Sequence, residues 1–363
     1  MSVDQQTRRR IVRTGLTALD EELACPGYTL YAPLYGSGEV LLIDLQGNEV
    51  HRWDMPYPPG LWGYLLPNGN LFYGGKLKDE TWDRFGLWNR FKGGVMLEAD
   101  WNGQILWEHR DPDHHHDARR TAAGGAIYLT VERLSADVAS RVRGGIPESE
   151  TDGMWADVIV EVDAAGNRVW EWHAAHHLDF ATDRITFNDP RHEWTHANTV
   201  VPLDGDRFMV SFRNISTVGI VDKKSGDFTW KLGYETLSQQ HDPTLLANGN
   251  VLVFDNGAHR KDWAMPASRV IEVDPHTKEI VWQYVDSPPF NFFSPYISGA
   301  RRLPNGNTLI TEGNFGRMFQ VTPGGKVVWE YINPHFPEGP EGEQSNAVFR
   351  ATHYSAEELP AID

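Results

Sequence analysis

The sequence predicts an all-β chain, a six-bladed β-propeller closed by strands from both termini. Three observations carry that reading. A strand–turn–strand unit ending in Trp recurs six times, and a second hairpin built on Leu-Pro-Asn-Gly-Asn or worn forms of it alternates with the first five times. The missing sixth inner hairpin can be assembled from the two chain ends, each of which carries a strand pattern. Repeats of this size, each unable to bury its apolar face alone, are the signature of a closed radial array.

The outer hairpins are Val40–Trp53, Val95–Trp107, Val158–Trp170, Val218–Trp230, Val270–Trp282 and Met318–Trp329. Apolar residues alternate along each, and turn residues stand where a hairpin needs them. The terminal Trp of each unit is expected to pack blade against blade, because large aromatics supply most of the burial at such seams. The inner hairpins are Leu65–Tyr73, Thr121–Thr130, Thr199–Ser211, Thr244–Phe254 and Arg302–Thr311. Tyr28–Pro33 and Ala347–Tyr354 are the strands that close the ring. Closure has a physical motive, since an open ring leaves an unpaired edge and a bare seam. Residues 1–27 read as an N-terminal extension and 28–363 as one propeller domain. Thr17–Leu23 and Ser355–Leu359 could form short helices; helix signals are otherwise nearly absent. A pair of β-sandwiches is the weaker alternative, because the six outer hairpins are too regular for it. Long irregular insertions at Lys76–Gly94, Leu134–Trp155 and His173–Thr195 belong to loops at one end of the blades, where a binding site is usually built.

Bulk properties narrow the function. A net charge of −17 over 363 residues argues against nucleic acid or an anionic membrane surface as a partner. Cys25 is the single cysteine, so no intrachain disulfide or thiolate metal cluster can form. Arg8-Arg9-Arg10 is followed by no apolar run of signal-peptide length, so a cytoplasmic location is expected.

In a propeller the first strand of each blade lines the central channel. Reading back from the Asn-Gly-Asn turns places Leu61, His116, His196, His241 and Ser298 at equivalent positions, with His353 nearest in the terminal strand. Several imidazoles from distant segments should therefore converge on one axis. An isolated His at a strand start is usually a satisfied polar residue, a reading that serves His51, His109, His276 and His335. It serves the matched positions less well, because nothing in blade packing calls for imidazole there. The loops after the second strands add Arg213-Asn214, Asn256, His259, Arg260, Asn314 and Arg317, with Lys76 and Lys78 in an earlier blade. Arg forks and Asn amides suit an oxyanion, although Arg213 and Arg317 could equally bond loop carbonyls or carboxylates. Arg260 has the stronger claim, because the hairpin Gln240–Arg260 should bring it near His241. Tyr64, Trp82, Phe85, Trp88, Trp155, Trp194, Phe290, Phe292, Phe293 and Tyr296 supply aromatics for a flat apolar ligand. A metal on His116, His196, His241 and His353 is the competing chemistry, since neutral imidazole suits several transition metals. No carboxylate recurs in the register.

Glu193-Trp-Thr-His-Ala-Asn198, Val210-Ser-Phe-Arg-Asn214, Gln240-His241, Phe254-Asp-Asn-Gly257 with Arg260, and Phe293-Ser-Pro-Tyr296 together resemble the bacterial arylsulfate sulfotransferases. The resemblance covers most of the chain, from Tyr28 to Tyr354. It implies a six-bladed propeller that moves a sulfo group from a phenolic sulfate ester to another phenol through a covalent sulfohistidine, without a nucleotide donor or other cofactor. It further implies His196 as the His of the Trp-x-His-x-Asn motif, His241 as the His after Gln, and Arg260 as the Arg after Asp-Asn-Gly. Either His241 or His196 would be nucleophile and the other acid/base, with Arg260 on the sulfonyl oxygens. Ser298 offers no imidazole where a further one is expected. The export signal, extra N-terminal domain and disulfide of periplasmic members have no counterpart in this sequence. The expected partner is a small aromatic molecule. A metal-dependent hydrolase, lyase or oxidoreductase is the alternative enzyme, and a protein-binding scaffold ranks below both. The oligomeric state is left open.

Overall fold

The computed structural model describes residues 13–149, 153–339 and 341–359. The expected signal-free N-terminus, including Arg8–Arg10, lies outside the described residues. Six antiparallel blades ring a central axis. Blade 1 takes its strands from Pro59–Leu65, Leu71–Lys76, Gly94–Ala99 and Ile105–Arg110. Blade 2 uses His115–Arg120, Ala126–Arg133, Trp155–Val162 and Arg168–His173. Blade 3 runs from Ala197–Leu203 to Phe228–Leu232, blade 4 from His241–Leu245 to Ile280–Tyr284, and blade 5 from Gly299–Arg302 to Val327–Ile332. In blade 6 the innermost strand, Val348–Tyr354, comes from the C-terminus and pairs with Tyr28–Pro33, through Tyr28↔Tyr354 and Tyr31↔Ala351. The ring is thus closed by both chain ends, as the repeats require.

The six outer-hairpin tryptophans do more than fill seams. Each donates its indole N–H to a turn carbonyl of the next blade. Trp53 reaches Asp100 O at 3.1 Å, Trp107 Ala164 O at 3.0 Å, and Trp170 Lys223 O at 3.2 Å. Trp230 reaches Pro275 O at 2.9 Å, Trp282 Pro323 O at 2.8 Å, and Trp329 returns to Leu45 O of blade 6 at 2.8 Å. The chain of bonds runs once around the molecule without a gap. It explains why Trp, and not Phe, stands at this position in every blade: the ring gives burial and the N–H fixes the neighbour's register.

Two local expectations change. Thr17–Leu23 does not form a helix. Gly15–Leu19 is a strand added to the outer edge of blade 5, with Gly15↔Ile332 and Leu19↔Trp329 paired. Tertiary pairing prevails over a weak local helix preference, because the strand covers an otherwise open edge. The segment from Gly15 to Pro33 therefore joins blade 5 to blade 6. Near the C-terminus only a single 3-10 turn forms, at Ala356–Glu358.

Each of the three insertions carries regular structure among its described residues. The first carries a short helix, Trp88–Phe91. The second and third meet in a two-stranded parallel ladder, Gly144–Ile146 against Ile185–Pro190. Among the described residues no helix is long and apolar enough to cross a membrane.

Candidate active site

The backbone bends sharply where the inner strands enter the channel. Leu61, His116, His196 and Ser298 have φ of 114°, 50°, 51° and 103°, and in blade 4 it is Asp242, next to His241, at 55°. Non-glycine residues seldom adopt this region, and such strain gathers at functional sites. In blades 1, 2 and 4 the bend falls within a register shift of the first hairpin, and in blade 3 the shift follows it directly, so the entering side chain leaves the normal strand alternation. His116, His196 and His241 come together here, as the repeat alignment predicts.

The rings of His116 and His196 meet edge to face with centroids 4.8 Å apart. Phe91, from the first insertion, stacks on His116 at 4.7 Å and stands edge-on to His196 at 4.5 Å. Phe349 of the closing strand flanks His116 and His241 at 6.1 and 6.3 Å. Phe85, Trp88, Phe91, Leu61 and Phe349 form one apolar cluster over the channel mouth, with Tyr64 and Trp155 packed against it. The first insertion is thus an aromatic lid over His116, which is 4% exposed, and His196, while His241, 1% exposed, is flanked by Phe349.

Each imidazole is anchored through Nδ1. His241 Nδ1 lies 2.8 Å from Asn256 Oδ1 and 3.2 Å from Gln239 O. The Asn256 amide is oriented by its own Nδ2, which donates to Ser294 O and Ile297 O, both at 2.8 Å. Two acceptors therefore face His241 Nδ1, so the proton sits there and Nε2 keeps a lone pair. Burial, with the charges of Arg213 and neighbouring groups, pushes its pKa down to about 3 despite the Asn256 bond, which favours the cation.

His196 Nδ1 lies 2.8 Å from Glu193 Oε2. Burial pushes the Glu193 carboxyl up to about 8 and His196 down to about 3, with Arg213 adding to the latter. The pair is held neutral, with one proton between the two groups. When that proton is on Glu193, His196 carries its own on Nε2. His116 Nδ1 lies 2.8 Å from His115 Nδ1, and His115 Nε2 is 3.0 Å from Asp157 Oδ1. Asp157 is itself held by the backbone N–H of Ala197 at 2.7 Å. Burial first, then the adjacent imidazoles and Arg350, drive the His116 pKa well below its usual range.

Below the imidazoles the channel is plugged by ions. Arg350, fully buried, places Nη1 3.4 Å from Asp117 Oδ2 and Nε 3.2 Å from Asp242 Oδ1. It also donates to Asn198 O and Thr199 Oγ1, both at 3.1 Å, and stacks on Trp62 at 4.4 Å. Arg301 grips Asp242 with both nitrogens, and Arg119 reaches Asp117 at 3.2 Å. None of Arg350, Asp117 or Asp242 stands out in the sequence. Arg350 lies in the predicted closing strand, and pairing that strand by its neighbours would have found it: Ser298 N bonds Phe349 O at 3.0 Å. The axial position in blade 6 therefore belongs to Phe349 and Arg350. His353 lies three residues beyond Arg350, paired with Thr29 and close to Gly27, away from the three imidazoles. The four-histidine metal cage is corrected accordingly. Among the described residues no group of three or more His, Cys, Asp or Glu is arranged to hold a metal ion.

The other expected residues divide. Arg213 stands near the cluster, bearing on both His196 and His241, and contacts Asp189 Oδ1 and Asn214 Oδ1 at 3.1 Å. Asn214 supports the wall, donating to Glu193 O at 3.1 Å. Arg260 is not paired across the hairpin with His241. Strand alternation turns Asp255 away from the face that Asn256 presents to His241, and Asp255 takes Arg260 with it in an ion pair. His259 bonds Thr186 Oγ1 at 2.9 Å on that same outer side. Arg317 is a structural cation of blade 5, bonded to Glu312 at 3.1 Å and Glu330 at 2.6 Å and stacked on Phe319. The Asn314 backbone N–H bonds Ser294 Oγ at 3.1 Å, and the Tyr64 hydroxyl accepts from Arg120 N at 2.8 Å. Lys76 caps Asn89 O and Arg90 O at the base of the lid. Of the predicted aromatics, Trp194 and Phe292 are blade core.

Fold and site together define a propeller whose axis carries three clustered imidazoles beneath an aromatic lid. The chain belongs to the arylsulfotransferase (ASST) family, whose sequence profile matches residues 86–334. No functionally curated protein matches it in sequence. Among solved structures it is similar to a protein of unknown function from Bacteroides caccae, with 13% identity, TM-score 0.54, 91% of this chain and 99% of the other covered. A putative 6-phosphogluconolactonase from Bacteroides fragilis aligns at 10% identity and TM-score 0.49, covering 93% of this chain and 100% of the other. The first of these likenesses bears on the fold alone.

Proposed function

We propose that the chain transfers a sulfo group from an aryl sulfate to an acceptor hydroxyl, with His241 as the sulfur-accepting nucleophile. The observation that carries this is the His241 tautomer. Asn256 Oδ1 and Gln239 O both require the proton on Nδ1, which leaves the Nε2 lone pair free on a buried ring near two other imidazoles and Arg213. A neutral, oriented imidazole is the form that attacks sulfur.

In the first half-reaction Nε2 attacks, the N–S bond forms, and the aryl O–S bond breaks with its electron pair on the departing phenolate. His196 gives its Nε2 proton to that oxygen and takes the Glu193 proton at Nδ1. The carboxyl of Glu193, poised at about 8, makes the pair a proton source near neutral pH. In the second half-reaction the acceptor oxygen attacks sulfur, the N–S bond breaks, and the acceptor's proton returns through His196 to Glu193. Arg213 is the cation placed to offset charge on the sulfonyl oxygens, the role expected of Arg260 from the sequence. His116, its Nδ1 held by His115, offers Nε2 to orient the acceptor hydroxyl. The aromatic lid of Phe85, Trp88 and Phe91 suits a planar substrate and excludes the water that would hydrolyse the intermediate.

Single-turnover incubation with 4-nitrophenyl sulfate should release one equivalent of 4-nitrophenol per chain and add one sulfo group to the His241 peptide. Phenol should then remove the label, and His241→Ala should abolish both signals. A folded protein that releases no nitrophenol and gains no sulfo group with any acceptor would overturn the proposal.

A further inference from the structure

A cleft of about 720 Å³ opens beside blades 3 and 4, outside the axial pocket. Its volume is within the range of small-molecule sites. Phe187 and Tyr234 line it and are 51% and 59% exposed. The charge on its wall is unbalanced. Arg260 and Arg269 share one buried carboxylate, Asp255, so two guanidiniums face a single negative charge. Arg260 is almost entirely buried, and its Nε has no hydrogen-bond partner. A buried donor of this kind is costly unless something fills its valence. Arg184 and Lys261, both exposed, add cations that make no ion pair among the described residues; Lys261 Nζ lies 4.9 Å over the Phe187 ring. Glu235 and Asp262 are the acidic groups of the lining besides.

We propose that this cleft is a second binding site, for an aromatic molecule carrying a negative charge. The aromatic part packs on Phe187 and Tyr234, and the anion answers the exposed Arg184 and Lys261 together with the guanidinium charge that Asp255 leaves unbalanced. The site is joined to the axis without being part of it. His259 bonds Thr186, Thr186 bonds Asp189, and Asp189 holds Arg213. The assignment stands on the cleft's own chemistry and does not depend on sulfo transfer.

The test is calorimetric titration of the full chain with 2-naphthalenesulfonate, whose C–S bond cannot take part in transfer. Binding should persist in His241→Ala. It should weaken at least tenfold in Phe187→Ala and in an Arg184→Glu/Lys261→Glu variant; these side chains lie on the surface, so folding is not at stake. A neutral naphthyl alcohol and inorganic sulfate should each bind at least tenfold more weakly than the sulfonate. Absence of binding, or affinity unchanged in both cleft variants, overturns the assignment. Loss of binding in His241→Ala with the cleft variants unaffected would place the ligand on the axis and overturn it equally.

Discussion

Replacing Asn256 by Asp tests the His241 tautomer directly. In the native protein the amide oxygen receives the Nδ1 proton at 2.8 Å, and burial holds the ring at about 3, so Nε2 keeps its lone pair at neutral pH. A carboxylate at the same place keeps the acceptor and adds a negative charge close to the ring. Two unit charges about 4 Å apart at an effective dielectric of 20 attract by about 4 kcal/mol. At about 1.4 kcal/mol per pKa unit, that raises His241 by about 3 units. Its protonation midpoint moves from about 3 to roughly 6 by that arithmetic, and below it the nucleophile is blocked. The assay is the initial burst of 4-nitrophenol from 4-nitrophenyl sulfate between pH 5 and 8, with circular dichroism as the check on folding. The variant should lose about tenfold in burst rate per pH unit below its new midpoint, while the native protein shows no such acid limb. Its carboxylate also leaves Ser294 O and Ile297 O without the donor they share, so lower overall stability is expected and does not count against the reasoning. A folded variant whose pH profile overlays the native one would refute it.

Glu193 governs the alkaline side. Its acid form supplies the first proton, so the burst should decline as pH rises through about 8. Glu193→Gln should cost about 10²–10⁴-fold and erase that limb. Because the folded carboxyl titrates above its unfolded value, its contribution to stability is full below pH 4.5 and is lost as pH rises through about 8. The axial ion plug is structural: Arg350→Met should lower urea-unfolding stability by about 3 kcal/mol, at the lower end for a broken buried pair. The remaining arginines explain the lower end, since Arg119 still reaches Asp117 and Arg301 still holds Asp242. Trp230→Phe removes one indole bond from the inter-blade ring and should cost about 1 kcal/mol, read by chemical denaturation. A change of a few tenths or less would show that the N–H adds nothing to the seam.

The sequence by itself determined the ring. Alternation, turn glycines and a Trp at a constant place in each outer hairpin are local signals that repeat six times, and repetition averages out their individual weakness. It also located the three imidazoles, because a position counted from a turn is preserved when the hairpin is. The tertiary structure decided which neighbours those imidazoles and the cations acquire. Arg260 and Asn256 are four residues apart, yet Arg260 follows its ion pair with Asp255 toward the cleft, while Asn256, on the opposite face from Asp255, turns to His241. Arg350, Asp117 and Asp242 meet only because blades 2, 4 and 6 face one another across the axis. Phe91 becomes a lid only because its insertion folds over blades 2 and 3. Spacing along a chain specifies which side chains share a rim. Partner choice on that rim is a contest among groups brought together by closure, settled by burial and charge in three dimensions.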